Sequence, residues 1–386
     1  MFKQLLFEEK MIKFYLSFLL IIPYTLFGQK FAIIGDFKGG DTNAYQVSVL
    51  VKSFNPDFIV TTGDNYSQYL GTIDYQIGKF YHEYISPYVG SYGAGDTVNR
   101  FFPTLGNHDL EGTGLTDYQN YFSLPGNERY YDFIKGNVHF FILNSDTSEP
   151  DGNTDTSVQA SWLQNALLNS NSFYNLVFLH HPPYSSGLHG SNIVTQWQYK
   201  TWGANAVFGG HDHDYERLFI DSLSYFICGA SGSPLYSTFN NYPGTQKFYS
   251  DDFGAIIANT NNDSINFKFY NIKDSLIDSF SLNNTHLGFK AVDYYNKDNN
   301  LQLSVYPNPF INSINIKYFL TKSNEVSINV YDEFGKRIRF IPKGIQNIGY
   351  NEHILNTENF NEGVYSIVIQ LNNYNFEIRA IKIKKK

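Results

Sequence analysis

The chain falls into two stretches with different hydrophobic rhythm. Between residues 31 and 213, short apolar runs alternate with segments whose apolar positions recur at helical spacing. Phe31-Ala-Ile-Ile-Gly35-Asp36 predicts a buried strand ending in an acid. Asp41 or Thr42 then caps a helix carrying Val47, Leu50, Val51 and Phe54 on one face. A second run ends in Gly63-Asp64, and Ile73, Ile77, Phe80, Tyr81 and Tyr84 predict another amphipathic helix. Further runs end at Gly106-Asn107, Asn144, His180 and Gly210-His211, with a helix predicted over 157–168. Strands alternating with helices predict an α/β arrangement.

Five of these runs end in Asp36, Asp64, Asn107, His180 and His211, and glycine precedes all but His180. Glycine lets a backbone turn tightly and approach a bound ion. In α/β sheets, ligands sit beyond the carboxyl ends of strands. Five similar endings in one orientation therefore predict one converging site. Five of the ten histidines fall within residues 175–217, and in an extended backbone His211 and His213 point the same way. Imidazole is a common ligand of transition metals; the competing reading of such a pair is a solvated surface feature.

Beyond residue 300 the rhythm changes to a period of two: Ile314/Ile316/Tyr318, then Val326/Ile328/Val330, then the run from Gly363 through Leu371. Several short strands without helices predict a small all-β sandwich. Residues 283–300 are polar, asparagine-rich and without a clear period, which marks a linker. A hairpin is expected over 265–282, turning near Lys273 and Asp274.

Composition sharpens this picture in three ways. At the amino end, Lys13 precedes an apolar run over 14–27 that stops at Gly28, the pattern of a secretory signal peptide. Residues 1–28 are so assigned, with Met11 as a candidate true start. The run is short for a membrane-spanning helix, so the mature protein is expected to carry none. Second, the single cysteine, Cys228, precludes an intrachain disulfide; it lies in a buried strand pattern, where packing is the expected role. Third, residues 301–386 carry 11 Lys/Arg against 7 Asp/Glu, whereas the rest carries 17 against 29. An acidic body without basic runs argues against electrostatic capture of nucleic acid.

In order along the chain, Gly35-Asp36, Gly63-Asp64-Asn65, Gly106-Asn107-His108-Asp109, Val177-x-x-His180 and Gly210-His211-x-His213 resemble the five signature blocks of the calcineurin-like metallophosphoesterases. The ending His213-x-Tyr215-Glu216-Arg217, and Lys38 in place of a histidine two residues after Asp36, look most like the purple acid phosphatase branch. The resemblance covers about residues 30 to 282, within a catalytic domain taken as 29–282, and implies a β-sandwich flanked by helices. It implies that Asp64 bridges two metal ions, that Asp36 and His213 complete one protein shell, and that Asn107, His180 and His211 hold the other ion. Oxygen and imidazole donors without thiolate suit iron, manganese or zinc, as two divalent or trivalent ions. It further implies in-line attack by a metal-bridging hydroxide. His108 is then expected at a phosphoryl oxygen, and His189 as the general acid, with His181 as support or shared donor. The purple branch has a tyrosine three residues after the bridging aspartate; here that position is Ser67, and Tyr66 stands one earlier. Either the loop contracts and Tyr66 binds metal, or Tyr66 only packs. Asp109, Asp212 and Asp214 are read as orienting groups, and Glu216 and Arg217 as a structural ion pair or loop anchor.

Tyr306-Pro307-Asn308-Pro309, Val330-Tyr331-Asp332-Glu333-Phe334-Gly335 and Gly363-Val364-Tyr365 resemble the C-terminal sorting domain (type A) of the type IX secretion system. That implies export through periplasm and outer membrane to the surface or medium, with the export machinery as a partner. The two resemblances together imply a secreted phosphoesterase acting on small phosphate monoesters. A diesterase or nucleotide hydrolase on the same site, and a surface binding protein on a degenerate phosphatase scaffold, are the alternatives.

Overall fold

A computed structural model of the chain describes residues 28–39, 41–170, 172–261, 264–283, 294–296, 301–371 and 374–383. The expected signal peptide, apart from Gly28, and most of the expected linker, with His286, lie outside the described residues.

Among the described residues, the body has thirteen strands. They are β1 (Lys30–Ile34), β2 (Phe58–Thr61), β3 (Phe101–Phe102), β4 (Tyr131–Lys135), β5 (Val138–Ile142), β6 (Tyr174–Phe178), β7 (Ala206–Gly209), β8 (Tyr215–Ile220), β9 (Leu223–Cys228), β10 (Thr245–Tyr249), β11 (Gly254–Thr260), β12 (Ser264–Asn271) and β13 (Leu276–Asn283). They form two sheets, in the orders β13-β12-β11-β1-β2-β3 and β10-β8-β9-β7-β6-β5-β4. β1, β2 and β3 are mutually parallel in the first sheet, as are β5, β6, β7 and β9 in the second. The expected α/β class and flanked sandwich are both present. The five ligand-bearing strands are divided, three in one sheet and two in the other.

Side-chain alternation explains the layering. Phe140, Ile142, Leu176, Phe178, Phe208 and Phe226 of the second sheet join Phe31, Phe58 and Phe267 of the first in the central core. Intervening residues Phe141, Val177, Val207 and Ile227 face the other way, onto Leu163, Leu167, Trp197 and Trp202. Central strands covered on both faces must be apolar at every position, and β1, β2, β6 and β7 are buried almost throughout.

Two helices form where expected. Asp41 caps Thr42–Ser53 by accepting the amide hydrogens of Asn43 and Ala44, and Ser157 caps Val158–Asn169 through Ala160. The helix expected around 73–84 is instead three short turns of different pitch: π over Asp74–Gly78, α over Lys79–Tyr81 and 3-10 over His82–Tyr84. Its apolar residues are buried as expected, with Ile77, Phe80 and Tyr81 in the core. Periodicity foresaw the buried face but not the change of pitch. The hairpin turns between β12 and β13 as expected.

The C-terminal strands are β14 (Tyr294–Asn296), β15 (Leu301–Tyr306), β16 (Ser313–Leu320), β17 (Asn324–Tyr331), β18 (Arg337–Gln346), β19 (Gly349–Asn356), β20 (Gly363–Leu371) and β21 (Tyr374–Lys382). They make two antiparallel four-stranded sheets, β14-β15-β16-β19 and β18-β17-β20-β21. Leu303, Val305, Ile314 and Ile316 of one share a core with Ile328, Val330, Ile367 and Ile378 of the other. Residues 294–296, read as linker from composition, pair with β15 and belong to this sandwich.

Candidate metal centre

The motif glycines make room for ligands from other motifs. A Cβ on Gly106 would lie 2.3 Å from Asp64 Oδ1, one on Gly210 2.5 Å from Asp36 Oδ2, and one on Gly63 2.6 Å from His180 Nδ1. Each glycine thus admits a side chain that another strand delivers. Asp36, Asp64 and His211 themselves have left-handed backbone, with φ of 55°, 52° and 71°. Such conformations cost about 1–3 kcal/mol for residues with a Cβ and persist where the surroundings over-determine them. Here the surroundings are reciprocal hydrogen bonds. The amide of Asp36 donates to the Gly63 carbonyl (3.0 Å), that of His211 to Asp36 Oδ2 (3.0 Å), and that of His108 to Asp64 Oδ1 (3.0 Å).

The imidazoles are locked by their outer nitrogens. His180 Nδ1–H donates to the Thr62 carbonyl (2.9 Å) and His213 Nδ1–H to the Pro234 carbonyl (2.8 Å). A neutral imidazole that donates through one nitrogen presents a lone pair at the other. His180 Nε2 lies 3.1 Å from Asn107 Oδ1 and 3.4 Å from Asp64 Oδ1, and His213 Nε2 lies 3.5 Å from Asp36 Oδ1. Asp36 Oδ1 is buried without a hydrogen-bond partner. Burial holds the rings neutral, lowering His180 to about 3, His211 to about 2 and His213 to about 4. The two carboxylates are pushed apart. Burial and then Asp64 hold Asp36 far above the carboxylate range. Burial also acts to raise Asp64, but His180, Lys38 and His108 outweigh it and hold Asp64 well below. Neutral imidazole lone pairs aimed at amide and carboxyl oxygens fit a cation between them.

Two overlapping clusters have their ligand atoms within 4.8 Å of one another: Asp36 with Asp64 and His180, and His180 with His181 and His211. His181 therefore stands among the ligand candidates. Ser145 Oγ accepts the amide hydrogens of His180 (3.2 Å) and His181 (2.9 Å) and lies 3.0 Å from His181 Nδ1. Having accepted twice, it donates its own hydrogen to Nδ1, so the neutral ring of His181 carries its proton on Nε2. His108 Nδ1 pairs with Glu111 (2.8 Å) while its Nε2 lies 3.8 Å from Asp64 Oδ2. The His189 ring lies against His211 in a tilted contact, centroids 4.2 Å apart, and its amide donates to Asp212.

Tyr66 is not brought into the cluster. Its hydroxyl donates to Asp117 (2.8 Å) and its amide to Asp109 Oδ1, so the backbone directs the ring toward the helix Gly114–Tyr121. In this structure the loop commits the Tyr66 hydroxyl to Asp117, the packing alternative. Asp109 accepts amide hydrogens from Gly106, Asn65 and Tyr66 and so organises the loop, and burial with the Asp64 charge pushes it up to about 8. Glu216 and Arg217 do not pair with each other. Glu216 anchors Ser186 and Thr245, and Arg217 pairs with Asp278. His82 and His139 bond outside the cluster, to the Ala94 carbonyl and to Asp132 with Ser170. Cys228 is buried, its thiol donating to the Ile33 carbonyl.

Sequence reading missed three contributors, Lys38, Glu111 and Ser145. Lys38 Nζ lies 2.7 Å from Asp64 Oδ2. Each meets its partner across a fold contact or within a loop, without local periodicity to announce it.

Residues 29–215 match the family model of the calcineurin-like phosphoesterases, and residues 304–384 that of the secretion system C-terminal sorting domain. The chain is 23% identical over 287 residues to purple acid phosphatase 17 of Arabidopsis thaliana, covering 63% of this chain and 80% of that protein. It is 25% identical over 242 residues to the human tartrate-resistant acid phosphatase type 5, covering 52% and 72% respectively. Among solved structures, GAP50, the anchor in the inner membrane complex of Plasmodium, shares the fold at a TM-score of 0.52 and 21% identity, covering 66% of this chain and 89% of that one. Among the described residues, no helix is long and apolar enough to cross a membrane. The convergent donors thus lie in a calcineurin-like phosphoesterase domain with purple acid phosphatase homologues, and the chain is a phosphoric ester hydrolase exported to the cell surface or beyond under a C-terminal sorting domain.

Proposed function

We propose that the chain hydrolyses small phosphate monoesters at a dinuclear centre held by Asp36, Asp64, Asn107, His180, His211 and His213. The supporting observation is the convergence of two fixed Nε2 lone pairs and the unpartnered Asp36 Oδ1 on one buried pocket. Iron, manganese or zinc bound there would supply charge neutralisation for phosphoryl oxygens and a more acidic water. Asp64, whose Oδ1 faces His180 and whose Oδ2 faces Lys38 and His108, would be the ligand shared between the ions. Glu111 holds His108 so that its Nε2 can donate to a phosphoryl oxygen as charge develops. His181, with its proton on Nε2, and His189, whose ring lies against His211, would share the protonation of the leaving alkoxide. The catalytic body is taken as residues 29–282, preceded by a signal peptide that export removes.

The fold also occurs in an anchor protein, so hydrolysis needs a direct test. Mature protein reconstituted with Mn2+ or Zn2+ should turn over p-nitrophenyl phosphate faster than bis(p-nitrophenyl) phosphate. It should hold two ions per chain by elemental analysis, and Asp64→Ala should lose at least one ion and nearly all turnover. Two ions with no turnover of either ester would mark a scaffold.

A further inference from the structure

His189 is fixed at its backbone, but its ring is held only by other rings. Its amide donates to Asp212 Oδ1 (2.6 Å), and Asp212 Oδ2 accepts the Ser185 hydroxyl (2.6 Å) and the Gly190 amide (3.2 Å). The loop from Ser185 to Gly190 is thereby tied to the residue between His211 and His213. The His189 side chain is exposed, and among the described residues no hydrogen bond reaches either nitrogen of its imidazole. Its ring contacts are the tilted one with His211 and a nearly edge-on one with Tyr236, centroids 5.4 Å apart and planes 70° apart.

Tyr236 is delivered by the loop that follows β9, and that loop is stitched to two of the motifs. The Ser231 hydroxyl accepts the Gly35 amide hydrogen (3.2 Å), and the Ser231 amide donates to the Gly35 carbonyl (3.2 Å). The Ser233 amide donates to the Asp36 carbonyl (2.7 Å) and the Tyr236 amide to the His213 carbonyl (3.2 Å), while the Pro234 carbonyl accepts His213 Nδ1–H. The phenol ring then lies flat on His213, centroids 4.2 Å apart and planes 11° apart. Aromatic pairs favour offset-stacked or edge-to-face arrangements, so each contact restricts angle as well as distance. Tyr236 takes its orientation from His213 and passes it to His189.

We propose that Tyr236 is the positioning residue for His189 as proton donor. Its ring holds the imidazole against His211, so that a ring nitrogen meets the ester oxygen and gives it a proton as the P–O bond breaks. The inference rests on the phosphatase reading above and adds the group that sets the donor's direction. Protonation matters most when the departing oxygen is basic: an alkoxide needs the proton as it leaves, whereas p-nitrophenolate departs as the anion. Tyr236 thereby extends the substrate range to monoesters of aliphatic alcohols.

The test compares kcat/KM for glycerol 2-phosphate and p-nitrophenyl phosphate in the metal-loaded full chain. Tyr236→Ala should lower the first about 10- to 100-fold and the second by no more than about 3-fold. Tyr236→Leu gives the same reading should the alanine variant fail to fold. Tyr236→Phe keeps both ring contacts and should match wild type on both esters. Loss of metal would depress both esters together, so equal losses, or none, would overturn the role of Tyr236. A phenylalanine variant as impaired as the alanine one would assign the effect to the hydroxyl and overturn the ring contact. Wild type inactive on both esters would overturn the phosphatase reading, and the contact is then read by carbethoxylation of His189 with diethyl pyrocarbonate and peptide mass spectrometry. That rate should rise about 2- to 10-fold in Tyr236→Ala, as loss of one aromatic pair allows, and stay at the wild-type level in Tyr236→Phe. An unchanged rate in Tyr236→Ala would overturn the positioning role as well.

Discussion

The body and the C-terminal sandwich are both β-rich, yet their strands are used differently. In the body, parallel strands buried on both faces end in side chains that meet polar groups from other strands. β6 and β7, for example, deliver His180 and His211 from one sheet to face Asp36 and Asp64 from the other. In the sandwich, β16 alternates buried and outward positions along its length, and its inward side chains join the shared apolar core. One region spends backbone strain at Asp36, Asp64 and His211 to focus donors. The other keeps its left-handed positions at glycines 335, 344, 349 and 363. A site therefore needs close approach between elements distant in sequence, whereas the sandwich is held together by regular alternation about an apolar core.

Four substitutions sharpen this contrast. The largest effect is expected for Gly106→Ala, whose Cβ would meet Asp64 at 2.3 Å. Displacing that carboxylate by about 1 Å should lower kcat roughly 100-fold, with the circular dichroism of the folded chain retained. Equal kcat in the variant would refute the interlock. In the sandwich, Ile328→Ala removes a fully buried side chain and should cost about 2–5 kcal/mol of that domain's stability. Phosphatase turnover should stay at the wild-type level, so a parallel loss of both would show the regions to be coupled.

The third concerns the acid limb. Burial acts to raise Asp278, but Arg217 and Tyr215 outweigh it and hold its carboxyl below the usual value. A depressed folded pKa contributes stability that is complete above the unfolded value of about 3.9 and is lost as pH falls through the folded one. Asp278→Asn should therefore melt lower than wild type at pH 7, and the gap should close toward pH 2 in thermal scans. A gap that persists at pH 2 would assign the loss to packing. The smallest effect is expected for Tyr66→Phe, which removes the hydrogen bond to Asp117 and should cost about 1 kcal/mol. Metal content and visible absorption should not change; a lost absorption band would return Tyr66 to the metal.

Much of the body was legible because its signals are local. A run such as Phe31 to Ile34 followed by Gly35-Asp36 states both the strand and what it presents, and Asp41 and Ser157 announce their helices by capping. The helix expected at 73–84 broke into three pitches because burial of Ile77, Phe80 and Tyr81 constrains the face, not the hydrogen-bond pattern. Tyr66 was ambiguous because one residue of loop length decides its direction, and the amide bond to Asp109 settled that direction away from the pocket.

The sequence alone determined which side chains end the strands, and the order and alternation that make one region α/β and the other all-β. These are properties of neighbouring residues, fixed by the periods of two and 3.6 that backbone geometry imposes. Only the tertiary structure decided that the donors come from two sheets, that each motif's glycine clears another motif's ligand, and that Lys38 reaches Asp64. Those contacts join residues 26 to more than 150 positions apart. Packing between the sheets creates them, and no local pattern in a single stretch records which distant side chain will arrive.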